Sequence, residues 1–248
     1  MTTIIETHCP WHLGDNIINF IFFYKIKEFI EANNIIIHYY CLNEYHNNLL
    51  DFNCSENIKI LNHEHKGHLL WQGGIKHGGY TPQCSYIEDT LCGMFNIFLN
   101  KYLIPIQVDS FEYKDDDLFN RYVCLDDKYK NINVLIINSN PRSGQYHYNK
   151  PQWDNFISKL NNKYIVGTTE KVNDNIISLH DVSVKNIAAI ALNVKIIIGI
   201  NTGPFVPLFN TDILNHVDVI YVFGSKDYPL KTRKMQPKND IEELTFLL

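Results

Sequence analysis

The run at residues 195–209, KIIIGINTGPFVPLF, constrains the fold more than any other stretch of the chain. Ile196, Ile197, Ile198 and, after Gly199, Ile200 are β-branched and read as a strand buried on both faces. The run stops at Asn201-Thr202-Gly203-Pro204, a turn that opens a short helix with Asn201 or Thr202 near its N-cap. Free N–H groups at a helix start, added to the helix dipole, suit an anion such as a phosphate. Any α/β domain contains several such turns, so the meaning of this one depends on its surroundings.

Taken in order, apolar runs alternate between strand and helix character. Residues 3–6 read as a first strand. A helix follows Asp15, with Ile18, Phe22, Ile26, Phe29 and Ile30 at helical spacing. Residues 35–42 and 58–61 read as further strands, with a short helix at 45–50 between them. A loop rich in His, Gly and Gln spans 63–84. Ile87, Leu91, Phe95, Phe98 and Tyr102 then give another helical face, closed by Pro105.

Residues 109–131 are acidic and polar and read as the joint between two halves. After them the alternation restarts: strand at 134–138, helix through Trp153, Phe156, Ile157 and Leu160, strands at 164–167 and 176–179. Ser183 is placed to cap a helix that buries Val184, Ile187, Ala188 and Ala191, and a strand at 217–223 follows the organising one. Two βαβ series imply an α/β protein of two Rossmann-like domains, 1–130 and 131–248, facing a central cleft.

Charge and cysteines narrow the function. A net charge of -5 offers no basic field to displace counterions, which argues against a general nucleic-acid binder. Lys231, Arg233 and Lys234 read as a solvated patch. The six cysteines (Cys9, Cys41, Cys54, Cys84, Cys92 and Cys124) show no CxxC spacing, and several lie in apolar runs as reduced, buried thiols do. The start of the chain lacks a signal-peptide pattern, and the longest apolar stretch, 17–30, is broken by Lys25, Lys27 and Glu28. A cytoplasmic protein is expected. Oligomeric state is not legible.

Several motifs occur in an order that resembles a known family. His12-Leu13-Gly14-Asp15 leads into a helix as does the N-terminal Gly-Asp motif of the ADP-heptose:lipopolysaccharide heptosyltransferases and related GT-B glycosyltransferases. Asn138-Ser139-Asn140-Pro141-Arg142 follows a strand, and Lys150-Pro151-Gln152-Trp153 resembles the family's Lys-x-Trp-Pro segment. Residues 183–191 resemble the approach to the donor turn, Asn201-Thr202-Gly203-Pro204 resembles Asp-Thr-Gly-Pro, and residues 223–229 resemble Phe-Gly-x-x-x-Pro. Asn201 stands where the family has Asp, and Phe205-Val206-Pro207 replaces the segment holding its His. The length also requires a trimmed first domain.

The resemblance implies a GT-B-like fold and transfer of a sugar from a nucleotide-diphosphate donor to a hydroxyl of a glycan or lipid-linked saccharide, inverting and without a metal or other cofactor. Asp15 would be the general base, the alternative being that it merely caps its helix. Gly14 would allow the tight turn there. Charge on the departing diphosphate would fall to Ser139, Asn140, Arg142 and Lys150 and to the turn Asn201, Thr202, Gly203 and Pro204, the proline offering only its carbonyl. Thr168, Thr169, Glu170 and Asp181 are placed for ribose or base. His12, Trp71 and His77 are placed for the acceptor.

Competing signals point elsewhere. Asp115-Asp116-Asp117 contains the Asp-x-Asp spacing of metal-dependent transferases but sits in a charged segment rather than at a strand end. His63, His65 and His68 with Glu64 have local zinc spacing but no evident fourth ligand. No Gly-x-Gly-x-x-Gly follows a strand, which disfavours a Rossmann oxidoreductase, and no Ser-hydrolase elbow occurs. A nucleotide-sugar epimerase, or a binding protein without catalysis, remains the alternative. The second would keep the Asn201–Pro204 turn and make Asp15 dispensable.

Overall fold

The β-branched runs form two parallel sheets, one in each of the units Met1–Tyr113 and Lys114–Leu248 that make up the computed structural model. Residues 2–62, 67–70, 126–142, 144–224 and 234–248 are described. The 87–102 helical face, Asp115–Asp117, His63, Glu64, His65, Trp71, His77 and the segment 225–229 lie outside them. So do Lys231, Arg233, Cys84, Cys92 and Cys124.

In the first unit the elements are β1 (Thr3–His8), α1 (Leu13–Lys25), α2 (Lys27–Ala32), β2 (Ile35–Cys41), α3 (Asn43–Leu50), β3 (Ile58–Asn62) and β4 (His68–Leu69). Their sheet order is β3-β2-β1-β4, with every pair parallel. The single helix expected after Asp15 is two. It breaks at Ile26, whose N–H is shared between the carbonyls of Phe22 and Phe23 at 3.2 Å each. Ile17, Ile18, Phe20, Ile21, Phe22 and Phe23 are all buried, so α1 is covered around most of its circumference rather than on one stripe. Phe20 and Phe23 meet Tyr39 of β2 edge-on, with centroids 5.1 and 5.6 Å away.

The second unit holds α4 (Asp127–Lys130), β5 (Val134–Ile137), α5 (Lys150–Leu160), β6 (Val166–Thr168), β7 (Ile177–Ser178), α6 (Val184–Ala191), β8 (Ile196–Ile200), α7 (Thr211–His216), β9 (Val219–Phe223) and β10 (Met235–Lys238). The sheet order is β10-β9-β8-β5-β6-β7, again all parallel. This is the doubly wound Rossmann order. The chain runs outward from β5 through β6 to β7, then returns to the other side of β5 to build β8, β9 and β10. β5 is buried along its whole length, and Ser183 caps α6 by accepting the Asn186 N–H at 3.4 Å.

Five elements escape the sequence pattern. α4 is a single turn within the segment read as the joint, capped by Asp126, whose side chain accepts the Lys128 N–H. β4 has two residues, and β10 carries Pro237 and no β-branched residue, which an edge strand tolerates. α7 is one and a half turns, started by Asn210, whose Oδ1 accepts the Ile213 N–H at 2.9 Å. A closing 3-10 segment, Ile241–Leu247, is opened by a capping box between Asp240 and Glu243.

The turn after β8 is also a 3-10 helix, Gly203–Phe209, with Pro207 in its interior. Pro207 has no N–H to carry an α-helical ladder. Phe205, 1% exposed, lies over Gly199, where an added Cβ would stand 2.5 Å from its ring and 3.1 Å from the Ile137 Cβ. The bulk of Phe205 is therefore accommodated by the missing side chain on β8. Gly199→Ala is expected to lower stability by about 1–3 kcal/mol through overpacking, read as a reduced urea midpoint.

Among the described residues no helix is long and apolar enough to cross a membrane, and Cys9, Cys41 and Cys54 are unbridged. Burial pushes the Cys9 thiol from 9.0 up to about 12, and those of Cys41 and Cys54 to about 11. Unfolded thiols lose their protons first, so above pH 9 the unfolded state holds fewer protons than the folded one. Stability is therefore expected to fall as pH rises from 9 toward the folded values of 11 and 12, measurable as a lower urea midpoint at pH 10 than at pH 7.5.

Candidate functional site

Parallel sheets place ligands outside the carboxyl ends of their strands, where two neighbouring connections diverge. In the second unit that point lies between β5 and β8, which pair in register up to Ile137 and Gly199. The loops that follow begin with Asn138-Ser139 and Asn201-Thr202.

Asn138 is wholly buried, and its amide closes the β5 end onto the β6 end. Its Oδ1 accepts the Glu170 N–H at 2.9 Å and the Thr169 hydroxyl at 3.2 Å, while its Nδ2 donates to the Glu170 carbonyl at 3.3 Å. The Asn138 N–H donates to Thr169 Oγ1 at 3.0 Å, and Ser139 Oγ lies 3.2 Å from the same hydroxyl. Asn138 therefore extends the β5–β6 ladder one step beyond the last strand pair, and it fixes where Glu170 leaves the sheet.

The 138–149 loop is anchored by aromatic rings. Trp153, fully buried on α5, donates its indole N–H to Tyr146 Oη at 3.2 Å and packs edge-on against Phe223 at 5.0 Å and Tyr148 at 5.8 Å. Gln145 Nε2 donates to the Asn201 carbonyl at 2.5 Å, and the Asn201 N–H donates to the Phe223 carbonyl at 2.9 Å. Gly224 sits at φ +76°, where an added Cβ would be strained and 3.1 Å from Gln145 and Tyr146. The ends of β5, β8 and β9 are thus tied into one rim. Gln145, Tyr146 and Asn138 are the members that spacing alone did not single out. The available signal was a polar residue directly behind a wholly apolar strand.

The predicted residues divide by exposure. Thr168 is buried in β6 and Thr169 hydrogen-bonds inward to Asn138, so both shape the rim rather than face outward. Ser139, Glu170, Asn201, Thr202, Gly203 and Pro204 are half-buried, and Asn140, Arg142, Lys150 and Asp181 are exposed. Thr202 occupies the N-cap of the 3-10 segment, but its hydroxyl donates to the Ile200 carbonyl at 3.2 Å and caps nothing. Prolines at 204 and 207 remove two N–H groups. The main-chain donors this turn offers an anion are those of Thr202 and Gly203. Lys150 pairs with Asp154 at 2.6 Å across one helical turn, an exposed contact of about 0.3–0.5 kcal/mol that a stronger anion outcompetes.

Beside Glu170 a groove of about 310 Å³ is lined by Lys171, Asp174, Ser178, His180 and Asp181 among others. His180 Nδ1 lies 3.8 Å from Glu170 Oε2. Among the described residues no three His, Cys, Asp or Glu side chains converge on a metal-sized space.

The first unit repeats the arrangement. Its switch point lies between β1 and β4, and the connection that leaves β1 carries Trp11 and His12 and then Gly14 and Asp15 at the start of α1. The N-cap of α1 is His12, with no side-chain cap bond, and Asp15 falls in the first turn at the third helical position. Asp15 is not the cap. It is half-buried. Gly14 is buried and His12 exposed.

No family model matches the chain, and no curated protein matches it in sequence. Solved structures do. E. coli ADP-heptose LPS heptosyltransferase II aligns with a TM-score of 0.55 over 96% of this chain and 90% of its own, at 10% identity. E. coli heptosyltransferase WaaC, solved with ADP-2-deoxy-2-fluoro heptose, gives 0.53 over 95% and 93%, at 9% identity. The iron-containing dodecameric glycosyltransferase TibC of enterotoxigenic E. coli gives 0.51 over 95% of this chain, at 10% identity, and the chain spans 62% of TibC's length. The likeness is one of fold: this chain has the α/β architecture of GT-B heptosyltransferases, with a Rossmann-like sheet in each unit.

Replacing Asn138 by Ala strands the Glu170 N–H and carbonyl at a buried strand end. A loss of about 1–3 kcal/mol per unsatisfied group is expected, read by urea denaturation. The Asn138→Ala midpoint should fall well below that of Asn140→Ala, whose side chain is exposed.

Proposed function

We propose that this protein is a glycosyltransferase that moves a sugar from a nucleoside-diphosphate donor to a hydroxyl of a glycan or lipid-linked saccharide, with inversion and without a metal. The observation that carries the reading is that both sheets end at switch points, and the residues expected for phosphate and base lie in the connections that leave those two points. The fold it shares with the heptosyltransferases supports it.

In this reading the 131–248 part holds the donor. The N–H groups of Thr202 and Gly203 and the Ser139 hydroxyl meet the diphosphate, while Arg142 and Lys150 supply positive charge, Arg142 as a two-pronged donor. Asn140 and Asn201 complete the rim. Glu170, whose backbone is clamped by Asn138, accepts from a ribose hydroxyl, with Asp181 beside the same groove. Thr168 and Thr169 act by holding that strand end. Pro204 stiffens the turn.

The 1–130 part takes the acceptor, through His12, Gly14, Trp71 and His77. Asp15 removes the proton of the acceptor hydroxyl as its oxygen attacks the anomeric carbon. The bond from that carbon to the phosphate oxygen breaks, and the electron pair leaves on the nucleoside diphosphate. No step requires a bound cofactor. Since WaaC was solved with an ADP-sugar analogue, ADP is the first nucleotide to try.

Calorimetry with ADP, UDP, GDP and dTDP, with and without magnesium, tests the donor half of this account. One diphosphate is expected to bind in the micromolar range, equally without magnesium and equally to Asp15→Asn. Transfer by Asp15→Asn should fall about a hundredfold or more. Binding that demands magnesium would contradict the metal-free reading. Wild-type turnover by Asp15→Asn would remove the base.

A further inference from the structure

Three polar side chains lie buried in the first unit beneath the loop that leaves β1. Asn16 is 0% exposed, Asn19 1% and Tyr39 0%, in a core rich in Ile and Phe. Asn16 Nδ2 donates to the carbonyls of Trp11 at 3.2 Å and His12 at 2.9 Å. Its Oδ1 accepts the Tyr39 hydroxyl at 2.7 Å, and that hydroxyl in turn accepts from Asn19 Nδ2 at 2.8 Å. Asn19 Nδ2 also donates to the carbonyl of Leu70, the residue directly after β4, at 2.9 Å.

These bonds form one line from the connection after β1, through α1 and β2, to Leu70, directly after β4. They therefore join the ends of the two strands that flank the switch point of this sheet. Residues 9–12 have no strand or helix ladder of their own. Among the bonds that fix their path are the Cys9 N–H on the Tyr40 carbonyl at 3.1 Å, the Asn16 N–H on the His12 carbonyl at 3.2 Å, and the two Asn16 side-chain bonds.

Burying a polar group costs about 1–3 kcal/mol where its bonds are lost, and Asn is a poor helix former. An apolar trio would fill the same space without that exposure to loss. The polar trio supplies what packing alone does not: a directional hold on two loop carbonyls. A base must lie within about 3 Å of the proton it takes, and a displacement of about 1 Å costs up to a hundredfold in rate.

We infer that Asn16, oriented by Tyr39 and Asn19, is a positioning residue that fixes the 11–15 loop and so the placement of the Asp15 carboxylate. The catalytic part of this inference rests on the reading of Asp15 given above. The hold on the loop does not.

The test uses the full chain and the variants Tyr39→Phe and Asn16→Ala, with Asn33→Ala as control, an exposed Asn that bonds the Phe29 carbonyl at 3.0 Å. In hydrogen–deuterium exchange, amides of residues 11–15 should exchange about tenfold faster in both test variants, with amides of residues 20–23 unchanged. Uniform acceleration of the loop and the interior of α1, or no change in the loop, overturns the inference. Release of diphosphate from ADP-, UDP-, GDP- and dTDP-glucose supplies the kinetic readout. The kcat should fall about ten- to a hundredfold with donor KM unchanged. Unchanged kcat with a raised KM overturns the positioning role. Asp15→Asn runs alongside. If it keeps wild-type turnover, the base reading has failed, and exchange alone decides whether Asn16 holds the loop.

Discussion

A parallel strand buried on every side leaves its backbone groups unanswered where the ladder stops, and that constraint governs the second unit. β5 lies between β6 and β8 and is buried from Val134 to Ile137. Beyond it no further strand pair forms, so the next polar groups must be met by side chains. Asn138 meets them by clamping both backbone groups of Glu170, and Gln145 does the same service for the Asn201 carbonyl. The rim of the candidate donor site is thus the terminus of the sheet itself. Its rigidity comes from the same bonds that finish the fold, with Trp153, Tyr146 and Phe223 packed behind.

The first unit solves the same problem with different residues. Its connection after β1 is held by the Cys9 N–H on the Tyr40 carbonyl of β2 and by Asn16, Tyr39 and Asn19. In both units a short polar network stands between an apolar core and the connection that leaves the first strand of the sheet. Removing one member leaves its partners buried without bonds, which costs more than a missing surface contact.

Strand and helix order in the second unit was legible because its strands are runs of Ile and Val and its helices carry clear apolar faces. Ser183 marks α6 in the sequence. Short elements were not legible. β10 contains Pro237, α7 depends on the cap at Asn210, and the break at Ile26 lies inside a continuous apolar pattern. In the candidate site, spacing pointed to the residues that face outward, such as Glu170 and Arg142. It gave no structural role to Asn138, Asn16 and Tyr39, because a buried polar side chain has no periodic signature, nor to Gln145, whose exposed side chain reaches a distant turn. Their partners are 32, 56 and 23 residues away. Phe205 reads as bulk in the sequence, but the space that Gly199 leaves for it becomes evident only when the two are seen in contact.

The central claim is that a nucleoside diphosphate binds where β5 and β8 part. Backbone amide shifts of the isotopically labelled full chain, titrated with ADP and then with UDP, GDP and dTDP, address it most directly. The account predicts saturable shifts centred on Ser139, Glu170, Thr202 and Gly203 for one of the four. Shifts centred on residues of the first sheet, or none with any of the four, would contradict it.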